Sequence, residues 1–199
     1  TMESNPATLS ADGLKGYRAA GVNRLSMGVQ SMNDAILQRL GRIHTSDDVI
    51  RDIKLAREAG YDNINLDLMF AVPGSTPETT LTDLSAICEL KPEHVSFYSL
   101  QLEEGTGFFD EFERGELEEL PDEIDRAMYH AGCDYLVQHG YEHYEISNFC
   151  RTGRESKHNL KYWDMSPYLG LGLGASSYIG GRRIVNVSSM DEYLRLVAK

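Results

Sequence analysis

The sequence predicts an α/β protein built around a parallel sheet. Three observations carry that prediction. Strand-like and helix-like segments alternate at intervals of about 30–40 residues, the signature of βαβ units with right-handed crossovers. Capping residues and stop glycines delimit the helices between the strands. Polar residues recur where the strands finish, and in parallel sheets ligands sit at those carboxyl ends.

Taken in order, "LSADGLKGYRAAG" reads as an amphipathic helix, with Ser10 as its cap, Leu14, Tyr17 and Val22 on its apolar side and Gly21 as its stop. "VNRLSMGVQS" follows as a strand and "NDAILQRLGR" as a short helix. In "TSDDVIRDIKLAREAG", Thr45 and Asp48 form a capping-box variant and Gly60 ends the helix. "NINLDLMFAVPG" is a strand running into a Pro-Gly turn. "TPETTLTDLSAICEL" puts Pro77 in the first turn of a helix, where its missing N–H costs nothing. "HVSFYSLQLE" is the next strand. Past residue 110 the pattern changes to a long helix, "PDEIDRAMYHAGCDYLVQHG", a strand "YEHYEISNF" and a loop "CRTGRESKHNLKYW". A glycine-rich "YLGLGLGASSYIGG", a strand "RRIVNVSS" and a helix "MDEYLRLVAK" complete it. The expected organisation is 1–110 as the βα units and 111–199 as a helix plus a mixed α+β extension.

A chain of 199 residues is long enough to bury a substantial core. No apolar run approaches the roughly 20 residues of a membrane span. The net charge of −12 argues against a nucleic-acid footprint, which needs basic surface. Much of that charge lies in 103–125, which reads as a solvated acidic face rather than a cation site. Cys88, Cys133 and Cys150 are odd in number and widely spaced, so they read as free thiols in a reducing, cytoplasmic setting and not as a metal motif. No Ser-His-Asp ordering, nucleophile elbow, P-loop or H-E-x-x-H is present, so hydrolase and kinase readings have no support.

Three of the strands end on a polar residue and a fourth carries one within it. Glu3 would end a strand beginning before residue 1, Gln30 ends the next, Asp67 interrupts "INLDLMF", and Gln101 ends the last. A buried carboxylate at 67 requires a partner or a ligand: it bonds loop amides, pairs with Arg42, or contacts a bound molecule. "GLGLGASS" fails as a dinucleotide fingerprint, because the helix opening and the downstream ribose-binding acid are missing, and it reads instead as a close backbone approach. "HNLKYW" gathers His158, Asn159, Tyr162 and Trp163, which is either a solvated loop or a contact surface for a planar ligand.

The segments "NRLSMGVQSMNDAILQRLGRIHT", "NINLDLMFAVPGSTPET", "HVSFYSLQLEEGT", "YEISNF" and "HNLKYW" resemble the oxygen-independent coproporphyrinogen III oxidase-like family of radical S-adenosylmethionine (SAM) proteins. Within it, the His-Asn plus Tyr-Trp signature looks most like the haem chaperone branch. The resemblance implies a partial, open (β/α)6 TIM-like barrel, of which this chain would be the central and C-terminal part with a small α+β extension. It also implies a [4Fe–4S] cluster, on a C-x3-C-x2-C loop upstream of the strand end "E-x-N-P", that binds S-adenosylmethionine and cleaves it to a radical. By position, Glu3 corresponds to the acid contacting the first S-adenosylmethionine. Gln30, Arg42 and Asp67 correspond to residues lining a second such site, and Gln101 and Ser176 to two further positions that differ in type and would contribute backbone contacts. His158 becomes the expected axial ligand to haem iron, with Tyr162 and Trp163 as flat apolar surface, Asn159 orienting the loop and Cys150 as the rival ligand.

The cluster loop is not in this sequence, so the chain reads as the middle of a family member. Three functions follow from the resemblance: a haem chaperone transferring haem to accepting proteins, an oxidase decarboxylating the propionates of coproporphyrinogen III, or a scaffold with neither activity. If barrel strands are missing before Glu3, the edge along 23–31 is expected to be open and prone to self-association.

Overall fold

Every described helix but the one starting at Asp122, whose N-cap is Pro121, begins at a residue whose side chain caps it. The computed structural model describes residues 1–198. It divides into two compact units, Thr1–Glu155 and Ser156–Lys199. In the first, β1 (Met2–Ser4), α1 (Ala11–Ala19), β2 (Leu25–Gln30), α2 (Asp34–Arg39), α3 (Ser46–Glu58), β3 (Ile64–Phe70), α4 (Pro77–Glu89) and β4 (His94–Ser99) run in order. There follow α5 (Gly107–Glu113), α6 (Asp122–Gln138), β5 (Glu142–Glu145) and β6 (Asn148–Cys150). Ser10 accepts from the Gly13 N–H to cap α1, and Thr45 with Asp48 completes a reciprocal capping box on α3. Thr76 and Thr79 form a second box around Pro77 on α4.

The six strands form one sheet in the order β1-β2-β3-β4-β6-β5, with β1 to β4 parallel and the last two antiparallel. Parallel neighbours in chain order require a helix in each crossover, and α1, α3 and α4 supply them. Their inward residues share one core with a single set of strand side chains. Leu14, Val49, Ile53, Leu84 and Ile87 pack with Leu25, Met27, Leu66, Leu68, Val95 and Phe97. The helices therefore lie on one face of the sheet, as in a barrel wall. Met128 and Leu136 of α6 join the same core.

Several expectations are corrected. The edge along 23–31 is not open: β2 is paired on both sides and buried throughout, because β1 forms from the three residues Met2–Ser4 and covers it. The strand "HVSFYSLQLE" stops at Ser99, so Gln101 lies beyond it in a loop. "YEHYEISNF" is a hairpin rather than one strand, with β5 and β6 turning back at 146–147 to extend the sheet antiparallel. The acidic stretch carries the short helix α5, capped by Thr106. Tyr17 is half-exposed, its ring lying outside the core that Leu14 enters.

In the second unit, α7 (Lys157–Trp163), the hairpin β7 (Ser176–Ile179) and β8 (Arg182–Val185), and α8 (Met190–Val197) follow in order. "HNLKYW", expected as a loop, is α7, because Ser156 accepts from the Asn159 N–H and starts a helix there. The glycine-rich segment was expected to approach something flat or bulky; what Gly170 approaches is the chain's own backbone, a Cβ there lying 2.1 Å from the Ser176 carbonyl oxygen.

Two glycines give opposite predictions. A Cβ at Gly132 of α6 would sit 2.3 Å from Phe97 Cε1, in a core with no room for it, whereas nothing lies within 4 Å of one at Gly16 of α1. Urea unfolding of Gly132→Ala should show a loss of about 1–3 kcal/mol. Gly16→Ala should gain up to about 1 kcal/mol through helix propensity.

Candidate functional site

Strand alternation sends the other set of side chains to the opposite face, and these are polar. The register aligns Glu3 with Ser26, Ser26 with Asn65, and Asn65 with His94. One layer further Asp67 pairs with Ser96, which faces Asn148 of β6, and a second layer on Met69 pairs with Tyr98. A parallel sheet covered on both faces by apolar layers would carry continuous hydrophobic runs. Here one face is the core and the other is a polar surface.

At the carboxyl end of β2 the ladder breaks. A bulge between Met27 and Gln30 brings Gln30 opposite Leu68, and Gln30 adopts φ +70°, uncommon for a residue with a side chain. The distortion turns the amide toward the polar face, where its Oε1 accepts from the Tyr98 hydroxyl at 3.0 Å. Beside it is a cavity of about 230 Å³ lined by Glu3, Ser4, Asn5, Ser26, Gly28, Gln30, Arg42 and Asp67. The four residues Glu3, Gln30, Arg42 and Asp67 thus come together, from three strands and the loop after α2. Gly28 keeps this cavity open: a Cβ there would meet Gln30 Nε2 at 3.0 Å and Asn5 Oδ1 at 3.1 Å.

Asp67 is tied into a buried network rather than paired with Arg42. Its Oδ1 accepts from Asn65 Nδ2 at 2.6 Å, and the same amide donates to Ser26 Oγ at 2.7 Å. Asn65 Oδ1 lies 2.5 Å from His94 Nδ1 and accepts from Ser96 Oγ at 3.2 Å; His94 Nε2 lies 2.7 Å from the Tyr144 hydroxyl. Burial raises the Asp67 pKa, and hydrogen bonds from Ser96 and Asn65 oppose the rise. Burial, aided by the nearby Arg24 guanidinium, lowers the His94 pKa to about 3, so the imidazole is neutral. Arg24 is itself buried, with Nε unpartnered, and desolvation lowers its pKa. The sequence reading missed Ser26, Asn65, His94, Ser96 and Tyr98. The signal was available in the period-two polar positions of "NINLD" and "HVSFY".

Gln101 lines a different, larger cavity of about 910 Å³ at the ends of β3 and β4, whose floor is the Phe70–Phe97 ring pair at 4.5 Å. In the second unit, Ser176 begins β7. His158 is exposed on α7, with Nε2 2.7 Å from the Tyr162 hydroxyl, and Tyr162 packs edge-on to Tyr168 at 4.9 Å between centroids. Tyr162 and Trp163 are about half exposed, at 48% and 53%. Asn159, one residue into the helix from His158, uses its N–H for the Ser156 cap.

Among the described residues no group of three His, Cys, Asp or Glu side chains could hold a metal ion. The three cysteines are free thiols on α4, α6 and β6, and burial pushes those of Cys88 and Cys150 up to about 11. These residues do not fit an iron–sulfur cluster.

Residues 1–87 match the radical SAM superfamily. These residues belong to that superfamily, whose members use S-adenosylmethionine and a [4Fe–4S] cluster. More particularly, the chain is 44% identical over 198 residues to the "Heme chaperone HemW" of Bacillus subtilis, covering 100% of this chain and 52% of that protein. HemW of Escherichia coli is 42% identical, covering 88% of this chain and 45% of its own length. A mouse relative, "Radical S-adenosyl methionine domain-containing protein 1, mitochondrial", is 39% identical over 88% of this chain and 40% of its own length. The chain spans about half the length of the curated relatives it matches. Among solved structures, the coproporphyrinogen III oxidase HemN of Escherichia coli superposes with a TM-score of 0.80 at 23% identity, over 98% of this chain and 48% of that one. That likeness establishes the TIM-like radical SAM fold. No helix among the described residues is long and apolar enough to cross a membrane.

The His94 environment predicts a pH dependence. Its folded pKa, about 3, lies below the unfolded 6.5, so the folded state binds fewer protons and this contribution is complete above pH 6.5 and lost as pH falls toward 3. Asp67, shifted upward, has the opposite sign and offsets part of the loss at the acid end. Urea unfolding at pH 7 and pH 5 should show stability falling by up to about 1.4 kcal/mol per unit. A His94→Gln variant should flatten that slope.

Proposed function

We propose that this chain forms the S-adenosylmethionine-facing sheet and the haem-contacting segment of a cytoplasmic haem chaperone, which binds haem and passes it to accepting proteins. The 44% identity to a protein named as a haem chaperone, over the full length of this chain, carries the reading. The HemN likeness, a likeness of fold, gives no specific support to the oxidase alternative.

The chemistry of the small cavity fits S-adenosylmethionine. The ligand carries a sulfonium, an ammonium and one carboxylate; the cavity offers two carboxylates, Glu3 and Asp67, and one guanidinium, Arg42. Arg42 would take the ligand carboxylate in a two-pronged contact. Gln30 can both donate and accept, and Asp67 would accept from ribose hydroxyls or the amino group. When bound to its cluster, S-adenosylmethionine supplies radical chemistry; the residues of this chain bind and orient it. For haem, His158 would be the axial ligand on exchanging its Tyr162 hydrogen bond for iron, with Tyr162 and Trp163 as apolar surface. Asn159 would orient that segment. Cys150 is the weaker rival, since it is fully buried and its thiol stays protonated.

Two measurements test this. Calorimetry with S-adenosylmethionine should give a Kd weaker than roughly 100 µM, about 5–6 kcal/mol, because the cluster that normally chelates the amino-acid end has no ligands among the described residues. Micromolar affinity would contradict it. Haem titration should shift the Soret band in the parent chain and in Cys150→Ser, and fail to do so in His158→Ala. Loss only in the cysteine variant would move the ligand. No shift in the parent would remove haem binding and put the oxidase reading ahead.

A further inference from the structure

We infer that His94 is a positioning residue for the small cavity: held as the neutral Nδ1–H tautomer, it sets the direction of a hydrogen-bond relay that presents Asp67 as an acceptor and Ser26 as a donor to the ligand. This rests on the reading of the cavity as an S-adenosylmethionine site.

The polarity follows from the partners. Asp67 faces the cavity, and its Oδ1 is 2.6 Å from an Asn65 amide terminus, which must be the NH2 because a carboxylate cannot donate. The carbonyl end of Asn65 then faces His94, 2.5 Å from Nδ1, and accepts from Ser96 as well. Nδ1 therefore carries the proton, and Nε2 accepts from the Tyr144 hydroxyl at 2.7 Å. Either alternative breaks a contact. The Nε2–H tautomer would leave Nδ1 and Asn65 Oδ1 as two acceptors 2.5 Å apart. Turning Asn65 over would aim its carbonyl at the Asp67 carboxylate, and buried acceptors facing each other are costly.

The relay reaches two cavity residues at once. Asn65 Nδ2 donates to Ser26 Oγ, so the Ser26 oxygen is used as an acceptor and its O–H is left to donate into the cavity beside Asp67. The ligand is thereby offered an adjacent acceptor and donor, which matches a hydroxyl-bearing sugar better than a second anion. Among the groups around the imidazole, Cys150 is its partner across β4 and β6, and burial keeps that thiol protonated. Arg24, whose positive charge opposes protonation, comes from the start of β2, and Asn65 from β3. Tyr144 comes from β5. Burial is the larger cause of the neutral ring. His94 itself does not line the cavity, and acts through Asn65.

The first test needs no variant. Long-range 1H–15N correlation spectra of the unmodified chain should show His94 as a neutral Nδ1–H imidazole from pH 5 to pH 8. An Nε2–H tautomer, or an imidazolium in that range, overturns the inference. In Asn65→Asp, a carboxylate replaces the amide next to the ring, so the His94 pKa should rise toward the observable range, and S-adenosylmethionine binding, followed by amide shifts, should weaken at least about tenfold. His94→Phe, checked for folding by its spectrum, should weaken binding about as much while leaving its pH dependence flat. If the unmodified chain binds and His94→Phe binds equally well, the positioning role is overturned and the ligand reading stands. If the tautomer is as stated but the unmodified chain shows no binding at millimolar ligand, the ligand reading falls and the relay's polarity is supported.

Discussion

The two-residue repeat of the parallel strands is the constraint from which the rest of the structure follows. β2, β3 and β4 lie in a register that stacks Leu25, Ile64 and Val95-type positions on one face and Ser26, Asn65 and His94 on the other. The first set is sealed by α1, α3, α4 and α6 into the single core of the larger unit. The second set is left to satisfy its own hydrogen bonds, because a buried polar atom without a partner costs more than the bond it could make contributes. A one-residue slip of any strand would exchange the two sets, so the same register that builds the core aims the polar groups.

That constraint explains why the cavity sits where it does. Four strands deliver polar side chains to a common face, but only near the end of β2 is there space. Gly28 has no side chain, and the bulge turns Gln30 aside toward Tyr98. Elsewhere on the face, Asn65, Ser96, His94 and Tyr144 close onto one another. The left-handed backbone at Gln30 is a local cost, on the order of 1–3 kcal/mol for such conformations, carried by a sheet whose helices and core are otherwise well capped and packed.

Much of this was legible in the residues. Ser10, Thr45 with Asp48, and Pro77 each marked a helix start that the structure contains, because a capping side chain acts within one turn and needs no tertiary context. Asp67 stood out as a carboxylate inside an apolar run, and Gln30 as an amide at a strand end. His94 and Asn65 fall at period-two polar positions of "HVSFY" and "NINLD", but only the register sets them side by side. In sequence the hairpin at 142–150 reads as one strand, because "EISN" has no glycine or proline to announce its turn. "HNLKYW" reads as a loop in sequence because its cap, Ser156, precedes a helix of only seven residues. The pairing of β1 with β2 could not be read from three residues.

The central claim is that the polar face near Gly28 is a ligand surface and not merely the solvated side of a sheet. Gly28→Ala tests it most directly, because a methyl group there occupies the cavity while the core lies on the other side of the sheet. The variant should melt within a few degrees of the parent and bind S-adenosylmethionine about tenfold more weakly, a difference of about 1.4 kcal/mol. Unchanged affinity in a folded Gly28→Ala protein would contradict the account.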